Sequence, residues 1–224
     1  TYAHHALLIR NVRAAARRVG TTVAILQDLQ GPKIRVGELP DRGIVLRRGA
    51  SVVLSTARRR SANGIIPVQY ARLHRDVRLG DRLLLDDGRL ELKVRSVRGR
   101  SIHTAVVTGG TLISFKGINV PTAALSANPL TAKDVRDLRF GLAQNVDFVA
   151  LSFVRKAFDV ERLRRLIRRA RPRGQSSPHI IVKIERREAL RNLDAIIEAA
   201  DGVMVARGDL ALEADAASVP LYQK

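Results

Sequence analysis

The sequence predicts an α/β fold, parallel strands covered by helices, interrupted by a small all-β module. Two observations carry this. Short, wholly apolar runs alternate with amphipathic helical stretches at both ends of the chain, the pattern of strand–helix units with a parallel sheet. Between about residues 38 and 118 the period drops to two, and glycine-marked turns replace helices. At 224 residues and 46% hydrophobic, the chain can bury a core and lies far from the disordered range.

The elements follow in order. Residues 4–19 read as a helix with Leu8, Val12, Ala15 and Val19 on one face and Gly20 as its stop. Val23–Leu26 is a short apolar run expected to be a buried strand, followed by the Asp28–Arg35 segment. In the module, Leu90–Arg95 and Ile102–Val107 alternate strictly, and Asp87-Gly88, Arg98-Gly99 and Gly109-Gly110 mark turns. Thr131–Asp134 resembles a capping box with Asp in place of Glu, and the helix it opens carries Val135, Leu138 and Leu142. Val146–Phe153 reads as a strand. The next helix places Val160, Leu163, Ile167 and Ala170 on one face, with Arg162, Arg165 and Arg169 opposite. A strand at His179–Glu185 leads to a helix with Leu190, Leu193, Ile197 and Ala200 on one face. A last strand, Gly202–Ala206, ends in Arg207-Gly208-Asp209. The expected segments are 1–37, 38–118 and 119–224. The chain starts at Thr1 rather than Met and is expected to be a piece of a longer protein.

Forty Lys and Arg against twenty-one Asp and Glu leave a net charge of +19. A nucleic-acid site would concentrate that charge and interleave it with aromatics. Here the Arg residues are spread along the whole chain and aromatics make up 4%, which favours a solvated basic surface. The absence of Cys removes disulfides, thiolate metal sites and a cysteine nucleophile together. His4, His5, His74, His103 and His179 show no ligand spacing. No apolar run approaches the roughly 20 residues that span a bilayer, and the opening residues show no signal-peptide pattern, so none is expected. A soluble, cytoplasmic protein without a membrane partner is expected.

Three places could carry chemistry. Lys183 and Glu185 share one face of their strand, a position that is normally apolar. A strand simply emerging into water would explain them equally well. Asp209, just beyond the next strand, offers a second carboxylate, and two carboxylates suit Mg²⁺ when phosphate supplies further oxygens. The carboxyl ends of strands are the active face of barrels and open sheets alike. Gly208-Asp209 reads as a turn into a helix whose free N–H groups face an anion, or as an ordinary loop. Gly31–Arg35 puts Lys33 and Arg35 close together, or forms a solvated turn.

Taken together, six segments resemble the pyruvate kinase family. They are Asp28–Arg35, Asp86-Asp87-Gly88, Lys116–Pro121, Ser152–Lys156, Lys183-Ile184-Glu185 and Met204–Leu210, in family order and at roughly family spacing. The resemblance implies a partial (β/α)8 TIM barrel with an inserted small all-β domain, a lid placed after the third barrel strand. Strands three to six of the barrel would be present. It implies phosphoryl transfer from phosphoenolpyruvate to ADP, giving pyruvate and ATP. By resemblance, Lys183 and Arg35 are catalytic, and Lys183, Gly208 and Asp209 bind substrate. Arg35 and Lys116 bind the nucleotide, and Glu185 and Asp209 bind Mg²⁺ or Mn²⁺. Asp28 and Leu29 mark the family's monovalent-cation site. Leu29, Gln30 and Lys33 resemble the potassium-independent subgroup, in which the Lys33 ammonium would replace K⁺. Full-length members are homo-oligomers, and a fragment of this length is expected to be inactive or poorly soluble alone. Two rivals stay open: another metal-dependent barrel acting on pyruvate enolates, and a basic non-catalytic fragment binding nucleic acid.

Overall fold

The computed structural model describes every residue except Ala124 and Asp215. In chain order the elements begin with α1 (Tyr2–Arg18), β1 (Leu26–Leu29), β2 (Ile44–Leu46), β3 (Ser51–Ser55), β4 (Ile66–Pro67) and α2 (Leu73–Asp76). Next come β5 (Arg82–Leu85), β6 (Leu90–Arg98), β7 (Ser101–Thr108), β8 (Gly110–Leu112), β9 (Ile118–Asn119) and α3 (Ala132–Ala143). The chain continues through β10 (Phe148–Leu151), α4 (Ala157–Ala170), β11 (His179–Ile184), α5 (Arg187–Arg191) and α6 (Leu193–Ala199). It closes with β12 (Gly202–Val205), α7 (Arg207–Glu213) and α8 (Val219–Gln223). Two compact units result: Thr1–Pro32 with Asn128–Ala206, and Lys33–Ala127 with Arg207–Lys224.

The first unit is built on a parallel sheet in the order β1-β10-β11-β12, with Asp28 opposite Ala150, Leu151 opposite Val182 and Lys183 opposite Met204. Val149, Ala150, Ile180 and Val182 in the two central strands are fully buried. Their continuous apolar character is what a sheet covered on both faces demands. Leu26 on one outer strand and Val203 on the other are exposed. Helix α3 starts at the expected capping box: Thr131 accepts from the Asp134 N–H, and Asp134 accepts from the Thr131 N–H in return. On α4, Val160, Leu163 and Ile167 are buried as the helical period requires, while Ala170 in the last turn is exposed.

Three expectations need correction. The first strand is Leu26–Leu29, not Val23–Leu26. The Ile25 carbonyl accepts from Asp147 and Phe148, and ladder pairing starts at Leu26. Polar Gln27 and Asp28 interrupt the apolar run, so the pattern hid a strand that its neighbour's register imposes. Helix α1 does not bury Leu8, Val12 and Val19, which are all exposed. Its inward line is Ala6, Ile9, Arg13 and Ala16, because Arg13 donates to the Gln144 and Asn145 carbonyls and Tyr2 stacks on Phe140. Finally, the helix after β11 is broken at Asn192. The Asn192 amide donates to the Arg155 and Glu188 carbonyls, and Ile196 rather than Ile197 is buried.

The second unit contains a six-stranded sheet in the order β4-β3-β7-β6-β5-β9 and an antiparallel pair, β2-β8. Leu54, Ile66, Leu83, Leu85, Leu92 and Ile102 are central to its buried cluster. The hairpins β5–β6 and β6–β7 turn at Asp87-Gly88 and Gly99, where the sequence marks turns. Among the described residues, no helix is long and apolar enough to cross a membrane.

Candidate active site

In a parallel sheet all strands end on the same side, so side chains at their carboxyl ends converge without any loop having to bring them together. In the first unit this happens to Asp28 on β1, Ser152 just after β10, and Lys183 and Glu185 at the end of β11. The Lys183 ammonium lies 2.9 Å from Glu185 Oε1, 3.1 Å from Asp28 Oδ2 and 3.2 Å from Ser152 Oγ. An ammonium has three protons, and these three acceptors account for them. Ser152 Oγ in turn donates to Asp28 Oδ1 at 3.2 Å. Glu185 is buried, its side chain 1% exposed, while that of Asp28 is 52% exposed. The cluster therefore runs from a dry end at Glu185 to a wet end at Asp28.

Burial works against the Lys183 ammonium, but the Glu185 hydrogen bond and charge, with those of Asp28, outweigh it and hold its pKa above the ordinary lysine value. Lys183 is thus a positive charge throughout the neutral range, fixed by acceptors on three strands.

The second oxygen of Glu185 accepts from the backbone N–H of Phe153 at 2.8 Å. Phe153 sits in the left-handed region at φ +56°, which is uncommon for a bulky residue. Its ring packs on Gly31, itself at φ +65°, where a β-carbon would lie 2.7 Å from Phe153 Cδ2. The Gly31 N–H donates to the buried carboxylate of Asp134 at 3.1 Å, so the first turn of α3 anchors the loop after β1.

In the second unit, Arg35 and Lys116 come together. The Arg35 guanidinium donates to the Phe115 carbonyl at 2.8 Å, and Arg35 bridges to Gly117. Lys116 pairs with Asp86 at 2.8 Å, in a turn where Asp86, Asp87 and Gly88 all have positive φ. Lys33 is exposed and forms no hydrogen bond or ion pair among the described residues. Leu29 is buried within β1. The ammonium that reaches Asp28 is that of Lys183. Gly208 and Asp209 are the second and third residues of α7, which begins two residues after β12 ends. Their N–H groups lie in the first helical turn, where backbone donors lack intrahelical partners.

A lysine ammonium held at the carboxyl end of a parallel sheet by Glu185, Asp28 and Ser152 suits an anionic group such as a phosphoryl oxygen. The model of the family described as pyruvate kinase, barrel domain, matches residues 1–224. The chain belongs to the pyruvate kinase family. It is 46% identical over 227 residues to pyruvate kinase 2 of Synechocystis sp., covering 100% of this chain and 38% of that protein. It is 43% identical to pyruvate kinase of Geobacillus stearothermophilus, over 98% of this chain and 37% of the relative. To pyruvate kinase of Thermococcus litoralis it is 39% identical, over 100% of this chain and 46% of the relative. The chain thus spans less than half the length of these pyruvate kinases.

Of the residues singled out in the sequence, Lys183, Glu185 and Asp28 come together, and two further groups join them. Ser152 belongs to a recognised motif but had no role attached. Its signal is its place as the first polar residue after the buried strand Phe148–Leu151, one step beyond the Leu151–Val182 pair and so beside Lys183 on the next strand. The Phe153 N–H carries no side-chain signature, so no reading of residue types could have found it.

Proposed function

We propose that this chain supplies the core of a pyruvate kinase site, transferring phosphate from phosphoenolpyruvate to ADP to give pyruvate and ATP. The observation that carries the proposal is the Lys183 ammonium, anchored by Glu185, Asp28 and Ser152 at the ends of three adjacent parallel strands. The reaction breaks the bond from phosphorus to the enol oxygen and forms one to the terminal oxygen of ADP. The enolate left behind then takes one proton on carbon to give pyruvate. Such a transfer needs alignment and neutralised oxygens rather than a covalent intermediate. Lys183 places positive charge beside the phosphoryl oxygens. The Gly208 and Asp209 backbone N–H groups receive the substrate carboxylate, and Arg35 and Lys116 receive the nucleotide phosphates.

The donor chemistry fits a divalent cation. Glu185 is a buried carboxylate and Asp209 a half-buried one, and hard oxygen donors with few protein ligands are what Mg²⁺ or Mn²⁺ takes beside phosphate. When bound, that ion would neutralise and orient phosphoryl oxygens. Lys33 is assigned the charge that K⁺ supplies elsewhere in the family, in keeping with its freedom from other ion pairs. The β module of residues 38–118 is assigned as the inserted lid domain of a partial barrel. A cytoplasmic homo-oligomer is the expected setting.

The test is a coupled assay for pyruvate release on the longest natural chain carrying these 224 residues. Release is expected to require phosphoenolpyruvate, ADP and Mg²⁺ together and to be unchanged by K⁺. Pyruvate formed without ADP would overturn the assignment, and strong activation by K⁺ would remove the role given to Lys33.

A further inference from the structure

We propose that the two-residue turn Ser152-Phe153 brackets the reactive ends of β11 and that Ser152 is a positioning residue acting through Lys183. This rests on the reading of Lys183 as the phosphoryl-stabilising cation. One turn makes two contacts with one strand end: Ser152 Oγ accepts from the Lys183 ammonium at 3.2 Å, and the Phe153 N–H donates to Glu185 Oε2 at 2.8 Å. Lys183 and Glu185 also touch each other at 2.9 Å, so the bracket fixes a pair rather than two independent side chains.

The two contacts differ in kind. A backbone N–H donates only, and it selects the carboxylate. A hydroxyl has one proton and two lone pairs. The Ser152 proton is spent on Asp28 Oδ1, which turns a lone pair toward Lys183. Ser152 therefore presents itself to the ammonium as an acceptor and, being neutral, anchors it without cancelling its charge. The two carboxylates pull Lys183 in different directions, toward buried Glu185 and toward exposed Asp28. Ser152, 3% exposed and hydrogen-bonded to Asp28, gives the ammonium a third, neutral anchor. Phe153 is left-handed, at φ +56°, in this turn, and its N–H meets Glu185 one residue after Ser152 has met Lys183. Gly31 leaves the room for the displaced ring.

The experiment compares Ser152→Ala and Ser152→Thr in the longest natural chain carrying these residues. Loss of a positioning hydroxyl is expected to lower kcat about 10- to 100-fold with KM for ADP unchanged. Ser152→Thr, which keeps the hydroxyl, should recover most of the lost kcat. As a readout independent of turnover, labelling of Lys183 by trinitrobenzenesulfonate, followed by peptide mass spectrometry, should speed up in Ser152→Ala as the ammonium loses an anchor, with the thermal midpoint little changed. A kcat for Ser152→Ala within about twofold of wild type, or equal losses in the Ala and Thr variants, would overturn the proposal. A wild-type chain that releases no pyruvate would instead sink the reading of the site as pyruvate kinase. The labelling comparison still decides the bracket in that case, since unchanged labelling would refute it.

Discussion

A β-carbon on Gly31 would stand 2.7 Å from the ring of Phe153, at a backbone φ of +65°. Two independent penalties meet there: a left-handed backbone that L side chains resist, and a contact closer than packed carbon tolerates. Gly31→Ala should therefore destabilise the fold by about 2–4 kcal/mol, combining the left-handed strain with the overpacking term. The shift in a urea-unfolding midpoint measures it. Because the same ring is carried by the residue whose N–H holds Glu185, the variant should also loosen that carboxylate. A change below about 0.5 kcal/mol would mean that the Phe153 turn is free to move and the bracket is soft.

Helix α3 shows how a single side chain can serve an element and a site together. Thr131 caps the helix only locally, whereas Asp134 returns the capping bond and also accepts from the Gly31 N–H. Thr131→Ala should cost about 1 kcal/mol, the ordinary worth of a cap. Asp134→Ala should cost more, about 2–3 kcal/mol, because it leaves buried donors unpaired. Equal losses in chemical denaturation would show that the Gly31 contact contributes nothing. A second element-level device is Asp201, just before β12. Burial alone would raise its pKa, but the Ile180 N–H and the Arg164 guanidinium outweigh that and hold it below the usual value. A depressed carboxylate stabilises above its unfolded pKa of about 3.9, and the benefit disappears as pH falls through the lower folded value. Asp201→Asn should accordingly be less stable at pH 7, with the difference shrinking below about pH 4. A pH-independent difference would assign the loss to packing instead.

The same scale explains what the sequence could and could not disclose. Helices α3 and α4 were legible because their buried residues keep the helical period, and the β-hairpins because Asp87-Gly88 and Gly99 mark their turns. Strand β1 was not, since Gln27 and Asp28 are polar and owe their strand geometry to pairing with Val149 and Ala150. The inward line of α1 is set by what Arg13 and Tyr2 reach, contacts more than a hundred residues away in sequence. Asn192 breaks the helix after β11 through hydrogen bonds to two carbonyls that no periodicity records. At the site, charged residues on an apolar strand face announced themselves, while a hydroxyl and a backbone N–H did not.

At the scale of the molecule, the net charge of +19 does not define a partner. Much of it lies on Arg-rich helices such as α4, where Arg164 and Arg165 pair with Asp201 and Glu161. The proposed chemistry lies instead where adjacent strands end, on Lys183 and the groups that hold it. The central claim is that the Lys183 ammonium stabilises the transferring phosphoryl group. The most direct measurement is the turnover of Lys183→Ala against wild type, in the longest natural chain carrying these residues, by ADP-dependent pyruvate release with circular dichroism as a check on folding. Removing a charge aimed at the transition state should lower kcat by about a thousandfold or more while the fold persists. A folded Lys183→Ala protein that turns over at nearly the wild-type rate would contradict the account.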